Sequence, residues 1–140
     1  MAPLNGADLV INVETAVADT YVEVKDGRAW SGTLTSQSTT VAVFNRATKY
    51  TAASSTEEIY TLGWLLNLAD AGQTRVRAQA RAQAATNFQF LYDGTNGFQQ
   101  EFIITERGAS ADPDGNLMEF TATLSANDVP EEVGTGDLLL

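Results

Sequence analysis

Residues 70–85, Asp-Ala-Gly-Gln-Thr-Arg-Val-Arg-Ala-Gln-Ala-Arg-Ala-Gln-Ala-Ala, are the one stretch of this 140-residue chain rich enough in helix formers to make a convincing helix. Everything around it reads as strand and turn, so a single helix must find its place against a fold that is otherwise β. Asp70 predicts the N-cap, and Gln73, three residues on, completes a capping box in which each side chain satisfies a backbone N–H of the other residue. Thr86, Asn87 and the aromatic run 88–92 favour extended structure and end the helix. Around its axis Val76, Ala80 and Ala84 form one narrow stripe, while Ala71, Ala78, Ala82 and Ala85 form another on nearly the opposite side. The pattern leaves both faces open, as core contact or as contact with a neighbouring subunit. Arg77 and Arg81 stand four apart and repel by a few tenths of a kcal/mol unless carboxylates meet them.

The rest alternates with the period of half-buried strands. Leu9, Ile11 and Val13 share one face of a first strand over 8–14. Residues 21–24 alternate again, and Lys25-Asp-Gly-Arg28 predicts a hairpin turn into a strand over 29–36 on which Trp30, Gly32 and Leu34 share a face. A Ser/Thr-rich corner precedes Val41-Ala-Val-Phe44. Residues 45–58 are small and polar without a sustained period and read as a long loop, a length that compact domains keep for binding or leave disordered. Residues 59–67 run extended, and Trp64, Leu65, Leu66 and Leu68 are expected in the core. Phe88, Phe90 and Tyr92 lead through Asp93-Gly-Thr-Asn-Gly97 into Phe98, Phe102 and Ile104, a hairpin with good turn chemistry. A turn region spans 107–116, and Met118, Phe120, Ala122 and Leu124 alternate along the last and clearest strand. These readings give a mainly β, antiparallel, sandwich- or barrel-like domain over 1–126 with one flanking α-helix at about 70–85, followed by a C-terminal arm over 127–140.

Composition narrows the function. The chain has neither His nor Cys, which removes imidazole bases, thiol nucleophiles and the usual zinc ligands. The adjacent pairs Glu57-Glu58 and Glu131-Glu132 point to opposite sides of an extended chain and do not converge on one bond. Asp112, Asp114 and Asn116 suggest a calcium loop, but Leu117 stands where glycine is required and Thr123 where glutamate is required. No phosphate loop, dinucleotide fingerprint or nucleophile elbow occurs. A net charge of −10 argues against a protein that grips duplex DNA. No apolar run reaches the ~20 residues that span a bilayer, and the start lacks the pattern of a secretory signal, so the protein is expected to stay where it is made. The reading is non-enzymatic, with no catalytic, metal or cofactor site and no membrane partner.

The order of strands, a long polar loop, one Ala-rich helix opened by Leu-Leu-Asn-Leu-Ala-Asp, a hairpin through 93–97, a final alternating strand and then Ser-Ala-Asn-Asp-Val-Pro resembles a phage major tail tube protein over nearly the whole chain. The resemblance implies a structural virion protein that self-assembles into stacked hexameric rings, a tube through which DNA passes on ejection without specific binding. It implies assembly in the host cytoplasm, a place in the virion tail, and tape-measure, tail terminator and distal tail proteins as partners. It puts subunit or ring contacts in the long loop, at Arg46, Lys49, Tyr50, Glu57 and Glu58. Arg77 and Arg81, which invite carboxylates, and Leu138, Leu139 and Leu140, whose exposed apolar surface gains by docking, are further candidate contacts. The alternatives are a capsid-decoration or adhesin-like sandwich that binds a ligand through the same loops, and a hydrolase using a pair among Asp93, Glu101, Glu106 and Glu119, which the spacing disfavours.

Overall fold

A computed structural model of the chain describes residues 6–41, 50–111 and 118–134. A short 3-10 turn, Gly6–Asp8, leads into β1 (Val10–Glu14) and β2 (Tyr21–Glu23), followed by the long strands β3 (Gly27–Val41) and β4 (Tyr50–Leu65). Helix α1 (Ala71–Ala82) comes next, then β5 (Thr86–Leu91), β6 (Gly97–Ser110), β7 (Glu119–Ala126) and β8 (Glu131–Val133). The architecture is an antiparallel sheet of eight strands with one helix, as the alternation predicts. Its order is β2-β1-β5-β6-β7-β4-β3, with β8 paired to β6 beside the start of that strand.

The sheet is rolled. Its two end strands, β2 and β3, are consecutive in sequence, and the chain passes from Glu23 to Gly27 in a span of at most about 14 Å. A flat sheet in this order would hold them several strand spacings further apart, so the edges curve back toward one another. The predicted hairpin at residues 25–28 is therefore not formed: β2 pairs with β1 and β3 pairs with β4. The polar groups of that segment are taken up elsewhere. Val24 N–H donates to the Ile11 carbonyl at 2.8 Å, and Lys25 N–H donates to the Asp70 carboxylate at 3.2 Å.

Inside the roll, the inward faces of the strands meet in an aromatic core. Tyr60 lies 5.3 Å from Phe90 and 5.4 Å from Phe102 between ring centroids, and Trp30 closes over Tyr60 at 5.6 Å. Val13, Leu62, Trp64, Phe88, Phe98 and Leu124 are buried with them. Each such side chain contributes roughly 1.5–3 kcal/mol of burial. The expected apolar cluster ahead of the helix divides: Trp64 is buried and stacks on Phe120 at 5.4 Å, whereas Leu68 is 74% exposed, in the short link between β4 and α1.

Helix α1 closes the roll with one stripe only. Gly72, Gln73, Val76 and Ala80 are buried, while Ala71, Ala78 and Ala82 face outward. Gly72 permits the close approach, since a Cβ there would lie 2.1 Å from the Glu23 carbonyl oxygen. Asp70 caps the helix as expected, accepting from Gln73 N–H at 3.0 Å. The reciprocal half of the capping box is absent. The Gln73 amide instead accepts from Asn67 N–H at 2.8 Å and donates to the Lys25 and Leu65 carbonyls at 2.8 and 2.9 Å. The helix stops short of residue 85 because Gln83 turns left-handed at φ 53° and its N–H closes on the Ala80 and Gln79 carbonyls. That turn brings Thr86 into register with Phe102 at the start of β5.

Candidate assembly interface

The expected loop over 45–58 is largely strand. β4 begins at Tyr50, paired with Val41, and the Ser/Thr-rich segment expected as a corner belongs to the far end of β3. Thr, being β-branched, suits an extended ribbon as well as it suits a turn. β4 pairs with β7 only from Ile59 to Leu65, so residues 50–58 and their β3 partners run past β7 as a two-stranded ribbon of about 30 Å. Among the described residues no further strand pairs with either long edge of this ribbon, and such ribbons are marginal by themselves. Glu57 and Glu58 sit at its base opposite Thr35 and Leu34, and Tyr50 sits farther out on the strand. Burial pushes the Tyr60 hydroxyl up, with the neighbouring Glu58 carboxylate adding to the effect. Arg46, Lys49, Leu138, Leu139 and Leu140 lie outside the described residues.

At the opposite end of the sheet, Arg77 and Arg81 from α1 meet Arg107 from β6 around an open groove of 320 Å³ whose remaining lining is Gly108, Ala109 and Phe120. The strand, not the predicted turn, carries residues 107–110. A bulge determines which charge faces the helix. Ile104 pairs with Leu124, then Glu106 with Thr123 and Arg107 with Ala122, so one extra residue is inserted after Ile104. Ala122 and Leu124 are buried, and the insertion places Arg107, rather than Glu106, on that same side. Among the described residues the only ion pair is Arg28 with Glu119, which leaves the three groove arginines without a carboxylate. Arg77 donates only to the Thr74 hydroxyl, at 3.2 Å. Sequence reading found Arg77 and Arg81 but missed Arg107, because it places residues 107–116 in a turn, whereas the strand runs on to Ser110.

The other flank of the helix is apolar. Ala71 and Ala78 join Thr15, Val22, Thr74 and Arg75 around an open depression of 430 Å³. The segment after β7 is anchored at the ribbon end of the sheet. Asn127 N–H donates to the Glu101 carbonyl at 2.9 Å, the Gln100 amide donates to the Asp128 carbonyl at 2.8 Å, and β8 then pairs with β6 at Gly97, Phe98 and Gln99. Three of the four carboxylates considered for hydrolysis are engaged separately. Asp93 accepts from Thr95 and Asn96 N–H within its turn, which holds its pKa below the usual range, Glu101 accepts from Asn127, and Glu119 pairs with Arg28. Among the described residues no group of three or more acidic side chains is placed to hold a metal ion.

No protein-family model matches the chain, and no curated protein matches it by sequence. Solved structures do match it in fold. The SPP1 tail tube superposes with a TM-score of 0.77 at 12% identity, over 96% of this chain and 81% of that one. The tail of an empty gene transfer agent particle, computed with C6 symmetry, superposes with a TM-score of 0.76 at 13% identity, over 94% of this chain and all of that one. The sheath-tube complex of an extracellular contractile injection system matches with a TM-score of 0.65 at 11% identity, over 95% of this chain and 93% of that one. The chain thus has the fold found in tail and tube proteins over nearly its full length.

Proposed function

We propose that this chain is a structural subunit of a tail tube, self-assembling into stacked hexameric rings whose lumen conducts DNA during ejection. The observation that carries the reading is the ribbon over 34–41 and 50–58, which runs past the body of the domain with no further strand on either edge among the described residues. The cost of such edges is removed when a neighbouring copy covers them. The fold match to a gene transfer agent tail with C6 symmetry and to the SPP1 tail tube supports the same arrangement. A net charge of −10 supports a lumen past which a polyanion slides without being held. On this reading the subunit has no catalytic role, belongs to the virion tail, and meets the tape-measure, tail terminator and distal tail proteins at the tube's ends and lumen. Negative-stain microscopy of the purified protein, alone and mixed with its tail partners, is expected to give rings or tubes. A strictly monomeric particle under both conditions overturns the proposal.

A further inference from the structure

The groove formed by Arg77, Arg81 and Arg107 gathers three positive charges in a chain of net charge −10, with Phe120 and Ala109 as an apolar floor. Like charges so placed repel, and no described carboxylate relieves them. The other end of β6 carries the reverse pattern. In the segment Asp128-Val129-Pro130-Glu131-Glu132, Asp128 precedes and Glu132 follows Val129, which is 77% exposed, while Glu131 turns to the other side of the strand and accepts from the Gln99 amide. The two sites match in kind: arginines around an aromatic floor, and acids around a protruding valine.

They cannot meet within one chain. Asp128 is held beside Gln100 through its carbonyl, and Glu132 is paired with Phe98. Along β6, Gln100 and Arg107 are separated by about 23 Å at about 3.3 Å per residue. We infer that the Arg77–Arg81–Arg107 groove seats the acidic 128–132 segment of a second copy of this chain. Donor and acceptor surfaces differ and lie toward opposite ends of the strand, which permits head-to-tail repetition from copy to copy as the proposed rings require. This inference rests on the self-assembly proposed above and assigns one of its contacts.

A charge-swap experiment tests it. The R77E/R81E variant and the D128K/E132K variant are each expected to lose sedimentable assemblies by about tenfold or more, since either change sets like charges against each other. Mixing the two at equal amounts restores assembly, because each reversed surface then finds its complement. Circular dichroism melting monitors folding, and R107S, at an exposed strand position, provides a milder variant that weakens assembly without charge reversal. Wild-type protein that never assembles overturns both the inference and the tube reading. Wild-type assembly together with unimpaired R77E/R81E assembly overturns the groove contact alone, as does a mixture of folded variants that fails to recover. A short DNA duplex that binds wild type and not R77E/R81E, with assembly unchanged, reassigns the groove to a phosphate backbone and overturns the inference.

Discussion

Gln73 is fully buried, and its one amide satisfies a backbone N–H of the β4–α1 link, a carbonyl before β3 and a carbonyl at the end of β4. Q73A leaves these groups unpaired in the interior and is expected to cost about 2–4 kcal/mol in urea unfolding. G72A is expected to destabilise similarly, because the new methyl meets the Glu23 backbone rather than a movable side chain. Tyr21 gives a pH signature. Burial, helped by Glu14 and Asp19, pushes its hydroxyl up to about 12 from 10.0, so the unfolded chain ionises first and stability falls as pH rises from 10 to 12. Tyr60 is shifted in the same direction, and the Y21F/Y60F variant should flatten the alkaline loss of melting temperature. Asp70 as N-cap was legible because its partner is three residues away. The role of Gln73 was not, because its partner at Lys25 lies 48 residues distant and only the folded chain brings them together.

At the level of elements, the strands that face the core were readable and those that do not were not. Phe88, Phe90, Phe98, Phe102 and Leu124 declare their strands through alternation because one face of each is buried. Residues 50–58 pair with β3 and not with β7, and their Ser, Thr and Ala residues show no period and read as loop. The pairing of β2 with β1 was hidden for a different reason: turn chemistry at residues 25–28 is local, whereas the helix start that captures Lys25 is not. Replacing residues 36–56 by a tight turn should change the stability of the domain by no more than about 1–2 kcal/mol while abolishing tubes, compared by thermal melting and electron microscopy. Deleting Thr105 removes the bulge but leaves Glu106 opposite Thr123 and Arg107 opposite Ala122, so Arg107 keeps its place on the groove side. That deletion should therefore weaken assembly less than R107S does. Equal losses in sedimentation would count against Arg107 acting through the groove.

The whole molecule is a rolled sheet closed by a helix, with a ribbon and an acidic segment toward one end and an arginine groove toward the other. Fold class was within reach of the sequence because the single helix and the alternating strands leave few ways to bury an aromatic core. The groove was only half within reach, since Arg77 and Arg81 are helix neighbours but Arg107 arrives through a bulge. Molecules with unlike ends add in one direction, and whether such addition closes into rings is decided by the rotation between copies. The direct measurement is the rotational symmetry of end-on views of the assembled full chain by electron microscopy. Six-fold rings around an open lumen are the predicted result, and particles that remain monomeric or close as two-fold dimers would contradict the account.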